Sequence, residues 1–326
     1  MIRRRGASTG CDAAKLLDKG EYMNKNEFAE EVRKNLAESF GEEMEVKLQK
    51  VKKNNGITLL GIMVNDKKRN IAPTLYLDDL YEEFQNGRAF EEILGVVREN
   101  LKRGMPKGKI DMDFFMEFEK VKEKICYRLV NQERNAQMLE KVPNIPFLDL
   151  AITFFYVFWN DEIGGGSIAI TNTHLEKWGT SVAELWKVAN DNTRRIYPEQ
   201  CCPMEELLFE LMGRHTKIWP ALPEECSWGP FSMKILTNHT RNNGSAVMLY
   251  DGYLERLAEK LESGFYILPS SVHEVIMFPK IQEYGEDFLK EMVRESNEHV
   301  VDPQEFLSDS VYYYDRDQKK IELVNP

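Results

Sequence analysis

Apolar residues recur along the chain with two periods. Helical spacing runs through Phe28–Phe40, and Asn24 with its capping-box partner at 27 marks the start of that helix. A period of two follows in Met44–Val51 and again in Ile57–Val64, with an Asn-Gly turn between them. The first part of the chain therefore predicts one helix and one β-hairpin.

The same two periods continue to the end of the chain. Helical spacing predicts helices at 78–84, 90–101, 111–125, 132–141, 181–189, 203–212, 252–261 and 286–297. Apolar runs and alternation predict strands at 71–76, 126–130, 148–159, 167–171, 232–237, 246–250, 265–268, 275–278, 311–314 and 321–324. A second Asn-Gly turn would join 232–237 to 246–250. We expect an α+β fold with mixed or mainly antiparallel sheets, hairpins and packed helices.

A turn-rich stretch, Met105-Pro106-Lys107-Gly108, is the best hinge in the first half. It predicts a small α+β lobe at 23–108 and a larger one at 109–326. Residues 1–22 lack sustained periodicity and are expected to be a disordered tail or a misassigned upstream reading. In a bacterial gene the codons for 19–23 can contain a purine-rich ribosome-binding sequence before the ATG of Met23, so translation is expected to start there.

Composition narrows the partners and the compartment. The net charge is −11, which disfavours broad binding to nucleic acid because such binding needs Lys and Arg to neutralise phosphates. No apolar run reaches the roughly 18 residues that suggest a membrane helix. The five cysteines are irregularly spaced and follow no signal peptide, which predicts structural thiols in a reducing cytoplasm. The sequence implies no metal and no cofactor.

Phe265–Pro279 carries the best candidate chemistry, because two apolar runs flank Ser270, Ser271, His273 and Glu274. Apolar walls can shift the pKa values of such groups. In a catalytic reading Glu274 is the general base and His273 a ligand or proton shuttle. In a structural reading the hydroxyls and the imidazole satisfy backbone groups of a turn. Strand alternation would place His273 and Glu274 on opposite faces unless the backbone bends at the two serines.

Asn172 and His174 form a second candidate binding pair, at a predicted strand-to-helix junction. Such junctions often hold ligands in α/β proteins. The competing explanation is a cap for the following helix.

Four stretches resemble a known family. They are LPSSVHEVIMFP at 268–279, PTLYLDDLYEEFQNG at 73–87, IAITNTHLEKWGTSVAELW at 168–186 and FLSDSVYYYDR at 306–316. They resemble an uncharacterised bacterial domain-of-unknown-function family from anaerobic Gram-positive bacteria. The resemblance spans most of the chain from Met23 onward and implies no activity, cofactor or catalytic residue.

Two functions remain open. The first is a cytoplasmic binding or interaction protein without its own chemistry, with a protein or small molecule as its unknown partner. The alternative is a hydrolase-like or metal-assisted enzyme that uses His273 and Glu274.

Overall fold

The structure is a computed structural model that describes residues 23–66, 72–105, 113–160, 164–204, 233–280 and 285–324. The helices are α1 (Lys25–Phe40), α2 (Asp78–Gln85), α3 (Phe90–Gly104), α4 (Phe118–Val121), α5 (Ala136–Leu139), α6 (Asn172–Trp178), α7 (Val182–Ile196), α8 (Tyr253–Leu261) and α9 (Glu286–His299). Short 3₁₀ helices lie at Asn54–Gly56, Asp113–Met116, Lys122–Lys124 and Gly244–Leu249.

The strands are β1 (Met44–Lys52), β2 (Thr58–Asp66), β3 (Thr74–Tyr76), β4 (Ile125–Asn131), β5 (Asn144–Phe147), β6 (Leu150–Asn160), β7 (Gly164–Ala169), β8 (Glu199–Pro203), β9 (Lys234–Asn238), β10 (Phe265–Leu268), β11 (Val275–Pro279), β12 (Tyr312–Asp315) and β13 (Lys320–Leu323). Neighbouring strands, with the pair β6–β7 set aside, are antiparallel. The predicted α+β class is confirmed. None of the described helices is long and apolar enough to cross a membrane.

The first of two compact units contains 23–53, 58–66 and 72–105, together with Asn160 and Gly164. Its sheet has the order β1-β2-β3. The register places Val46 opposite Val64 and Leu48 opposite Ile62, so these side chains share the face that packs against the helices. The capping box of Asn24 with Glu27 begins α1 as the sequence predicts. The first hairpin is likewise confirmed.

The second unit contains the remaining described residues, including the turn 54–57. One sheet has the order β13-β12-β10-β11-β9-β8, and another has the order β4-β6-β5 with β7 on β6. Side chains of both sheets, such as Phe154 and Phe265, belong to one continuous apolar core that also includes α7 and α8. Leu289 and Val293 of α9 cover the opposite face of the larger sheet.

Helix α7 packs along the edge of β4 that has no neighbouring strand. Its Thr193 Oγ1 accepts the backbone N–H of Tyr127 at 3.0 Å, and its Asn192 Nδ2 donates to the carbonyl of Ile125 at 3.0 Å. An unpaired strand edge would otherwise leave backbone groups without partners. Two polar side chains therefore lie buried in α7 because they complete a sheet.

Two predicted helices beside the smaller sheet are wrong in extent, and one predicted strand is confirmed with a later start. The predicted helix at 132–141 shrinks to α5, whereas the predicted strand at 148–159 forms as β6 and begins at Leu150. Leu148 has a φ of 55° and lies in the tight turn that joins β5 to β6. Pro146 is tolerated in β5 because this strand pairs on one side only. The predicted helix at 111–125 is broken, since α4 has only four residues between two 3₁₀ turns.

The predicted strand at 246–250 is also wrong, because Gly244–Leu249 is a 3₁₀ helix. A Cβ on Gly244 would lie 2.2 Å from the carbonyl oxygen of His273, so the chain passes against another backbone there and enters the core. The predicted strand at 167–171 begins instead at Gly164.

Several predictions fall outside the described residues: the tail 1–22, most of the hinge at 105–108 and most of the helix at 203–212. The two-lobe boundary consequently stays a prediction.

Candidate functional site

The turn Ser270–Glu274 joins β10 to β11 at the centre of the larger sheet. The strands pair from Phe265 opposite Pro279 to Leu268 opposite Ile276. Beyond that pair the N–H of Ser271 donates to the carbonyl of Glu274 at 3.1 Å, which closes a turn. The assumption of strand alternation through 272–276 is therefore wrong, because β11 begins only at Val275. This turn supplies the backbone bend that the side chains of His273 and Glu274 need in order to approach each other.

His273 fastens this turn to neighbouring segments. Its Nδ1 accepts the backbone N–H of Asn243 at 3.2 Å, and its carbonyl accepts the hydroxyl of Thr237 at 2.7 Å. Its own N–H donates to Ser271 Oγ at 3.0 Å. Since Nδ1 is an acceptor, the network assigns the proton of the neutral ring to Nε2.

Glu305 provides the partner for that second nitrogen. His273 Nε2 lies 3.4 Å from Glu305 Oε1, and the two side chains are 29% and 48% exposed. The backbone of Glu305 is held as well, because its carbonyl accepts the N–H of Val272 at 2.8 Å. Both ring nitrogens of His273 thus have partners, at a place that solvent reaches.

Glu274 lies in a cluster of charges. Burial raises its pKa, and the carboxylate of Glu305 acts in the same direction. Electrostatic interactions with His273 and Arg241 and a hydrogen bond with Ser270 oppose this rise in pKa. The arrangement gathers two carboxylates, an imidazole and a guanidinium within electrostatic range.

The serines have structural partners. Ser271 is 6% exposed, and its Oγ accepts from the N–H of His273. Nucleophilic catalysis by serine needs the hydroxyl to donate to a basic nitrogen. In this geometry the two nitrogens of His273 face Asn243 and Glu305 instead.

His174 caps helix α6. Its Nδ1 accepts the backbone N–H of Thr171 at 3.0 Å, in a reciprocal capping box. The imidazole stacks on Trp178, with ring centroids 5.6 Å apart, and meets the edge of Phe115 at 5.1 Å. Burial lowers the pKa of His174, and the charge of Lys177 lowers it further.

Asn172 binds a different part of the chain. Its Nδ2 donates to the carbonyl of Glu140 at 3.0 Å, and its N–H donates to the carbonyl of Lys141 at 3.0 Å. Asn172 and His174 therefore bind residues near α5 and α6, whereas Ser270–Glu274 contacts residues at 237–245 and 305.

Asp149 is the centre of a polar cluster that was not predicted from the sequence. Its carboxylate accepts the hydroxyls of Ser308 at 2.5 Å, Ser310 at 3.0 Å and Tyr312 at 2.7 Å. The signal was present in the stretch Phe306–Arg316, where the three hydroxyl residues alternate with a period of two. That period places them on one side of an extended chain.

The segment 303–312 connects this cluster to the turn. Carbonyls of the segment accept side-chain amides of asparagines: Phe306 accepts from Asn55 at 2.7 Å and Leu307 from Asn131 at 3.0 Å. Glu305 meets the turn itself. The turn Ser270–Glu274 therefore belongs to a larger polar network, which the irregular segment 303–312 extends to the Asp149 cluster.

Two clefts lie elsewhere in the second unit. One, of about 320 Å³, is lined by Asn190, Asp191, Arg194, Arg195, Tyr250 and Asp251. The other, of about 230 Å³, is lined by Tyr266, Lys280, Glu286, Tyr313, Glu322, Leu323 and Val324. Among the residues with described positions, no three His, Cys, Asp or Glu side chains are grouped to hold a metal ion.

The model of a family described as a family of unknown function (DUF5688) matches residues 25–316 of the chain. The chain belongs to this family. The predicted resemblance to a domain of unknown function is confirmed, and a bacterial, anaerobic Gram-positive origin stays a prediction. Neither a curated protein nor a solved structure matches the chain. DUF5688 membership assigns no role to any residue, so a function can be inferred only from the geometry of the side chains.

Proposed function

We propose that this DUF5688 protein is a cytoplasmic binding or interaction protein without chemistry of its own. The observation that carries the proposal is the way the turn Ser270–Glu274 uses its polar groups. Both ring nitrogens and the backbone groups of His273 serve to hold segments together. A general base needs a free lone pair within reach of substrate. In His273 the lone pair of Nδ1 already accepts the backbone N–H of Asn243, so it is not free to take a proton from a substrate.

A buried cysteine supports the proposed cytoplasmic location. Cys126 is a buried free thiol. Burial raises the pKa of Cys126 to about 12, which keeps this thiol protonated and unreactive. Buried, unpaired thiols are typical of proteins from reducing compartments.

One observation favours the alternative, a hydrolase-like enzyme. The contact between His273 Nε2 and Glu305 is 3.4 Å long and half-exposed, so it can open when a substrate arrives. Glu274 has a raised pKa beside it, as a general base or acid needs. In this function Glu274 takes the proton from water, and His273 relays it.

The discriminating experiment uses the full chain and three matched variants. His273→Gln and Glu274→Gln remove the titratable groups of the turn, and His299→Gln removes an exposed histidine at the end of α9. Each protein is assayed against ester, phosphoester and peptide substrates, and each is captured from its native host for mass spectrometry of bound proteins and metabolites.

The proposal predicts no hydrolysis above background and the same captured partner for wild type and all three variants. Hydrolysis that is lost in His273→Gln and Glu274→Gln but kept in His299→Gln would refute it and establish the enzyme. A metabolite that co-purifies with wild type and is lost only from the turn variants would also favour the enzyme.

A further inference from the structure

A polar row crosses one face of the smaller sheet. Arg128 on β4 lies directly opposite Thr153 on β6, and Thr153 lies opposite Asn144 on β5. Directly opposed side chains in antiparallel strands have Cβ atoms about 5 Å apart. The same face carries buried apolar neighbours from the alternating positions: Cys126, Val130, Ala151 and Phe155. A cation and a hydroxyl thus stand together on an otherwise apolar surface.

Neither group has a hydrogen-bond partner. Arg128 Nε and Thr153 Oγ1 are both buried from solvent and unbonded in the structure, and Thr153 as a whole is 2% exposed. Asn144 does not satisfy them, since its amide donates to the carbonyls of Leu139 and Val142. Most buried polar side chains in folded proteins are paired, so two adjacent exceptions need a reason.

The charge of Arg128 is equally uncompensated. Within the described parts of the chain, no carboxylate forms an ion pair with it, and its guanidinium carbon lies 5.9 Å from the centre of the Phe155 ring. Burial lowers the pKa of Arg128, but an arginine starts so high that it stays charged at neutral pH. Arg128 is partly exposed as a residue, but its Nε is buried, and a charge that is partly withdrawn from water is costly unless an opposite charge and hydrogen bonds accompany it.

We infer that Arg128 and Thr153 form a binding site for a carboxylate or phosphate group of a small molecule. The unbonded N–H and O–H are both donors, and an oxyanion supplies acceptors for the two of them while it neutralises the guanidinium. Arginine is suited to this role because its planar fork matches both kinds of oxyanion. Water could satisfy the two hydrogen bonds, but it would leave the charge unpaired. These residues are separate from the turn Ser270–Glu274, so the inference goes beyond the proposed function and stands or falls without it.

Thermal unfolding of the full chain tests the site. The midpoint is measured as sodium phosphate or sodium acetate replaces sodium chloride at constant ionic strength, so that general screening is held fixed. A ligand that binds only the folded state raises the midpoint, and at saturation we expect a rise of about 2 °C or more. A response to phosphate alone assigns the natural ligand to the phosphates, and a response to acetate alone assigns it to the carboxylates.

Variants locate the effect. Arg128→Gln should abolish the rise, and Thr153→Val should weaken anion binding about fivefold to tenfold, the equivalent of one hydrogen bond. Arg294→Gln, which removes a cation whose side chain is 64% exposed, should respond as wild type does. Thr153→Val keeps the shape of the side chain and so remains informative if Arg128→Gln does not fold.

Two results would overturn the inference: a wild-type midpoint that neither anion raises above the chloride control, or variants at 128 and 153 that respond as fully as wild type.

Discussion

Asp149→Ala should be among the most destabilising single substitutions in the second unit. The carboxylate accepts hydroxyl hydrogen bonds from Ser308, Ser310 and Tyr312, at 2.5–3.0 Å. Ser308 and Tyr312 are 0% exposed, so water cannot replace the lost acceptor for those two hydroxyls. The substitution therefore removes three bonds to a charge and leaves buried donors without partners.

The expected loss follows from general magnitudes. A hydrogen bond to a charged group contributes about 1.5–3 kcal/mol, and an orphaned buried polar group costs about 1–3 kcal/mol. Bonds that share one carboxylate are not additive, so their values do not sum. We expect the free energy of unfolding to fall by about 3–5 kcal/mol, the range reported for breaking buried networks. Asp149→Asn keeps one oxygen acceptor and should lose about half as much.

Urea unfolding followed by circular dichroism measures this loss. Asp317→Ala, at an exposed aspartate in the turn between β12 and β13, provides the matched control and should change stability by less than about 0.5 kcal/mol. A double-mutant cycle with Tyr312→Phe isolates the phenol–carboxylate bond. The reasoning is refuted if Asp149→Ala stays within about 1 kcal/mol of wild type, or if the cycle yields no coupling energy.

Three further predictions concern the elements that hold the site. Thr193→Val should lower the free energy of unfolding by about 1–3 kcal/mol, because the N–H of Tyr127 loses its buried acceptor; Thr193→Ser, which keeps the oxygen, should lose less in the same urea assay. His174 has a lowered pKa and caps through neutral Nδ1, so its contribution is full above pH about 6.5 and is lost as the pH falls through the folded pKa. His174→Gln keeps a capping acceptor and should match wild type at pH 7.5 but lack this acid-side loss; an unchanged pH profile would contradict the assignment. Gly244→Ala should cost about 1–3 kcal/mol, since the new Cβ would meet the carbonyl of His273, and a variant as stable as wild type would show that the two loops separate freely.

Local signals in the sequence were sufficient wherever a structure depends on nearby residues. The capping box at Asn24, the first Asn-Gly hairpin and the pair of strands around Ser270–Glu274 all follow from residues within a few positions of each other. In each case the side chain that ends an element and the backbone group that it satisfies are neighbours in the chain. The antiparallel α+β architecture follows from these elements.

Signals failed where a distant contact decides the conformation. The second Asn-Gly sequence precedes a 3₁₀ helix because Gly244 passes against the backbone of His273, which is 29 positions away. The bond between Asp149 and Ser308 joins residues 159 positions apart. A periodic pattern carries no information about which distant segment will supply a hydrogen-bond acceptor.

The candidate site shows the same division. Ser270, Ser271, His273 and Glu274 form a turn, as one of the two readings of the sequence expected. The group that completes the electrostatic cluster, Glu305, lies in a stretch with no regular structure and no apolar period. Sequence reasoning identified one side of the cluster and had no means of finding the other.

The hydrogen bonds that hold the segment 303–312 affect where a ligand can bind. Loops that bind partners by adapting their shape are held by few contacts. This segment is held by side chains from several distant segments, including Asn55, Asn131 and Asp149. Several of its carbonyl and hydroxyl groups already have partners, so a ligand at Ser270–Glu274 would have to displace bonds that stabilise the fold. At Arg128 a ligand would displace none and would supply a missing charge. The balance of hydrogen bonds therefore favours binding at the smaller sheet over binding at the turn.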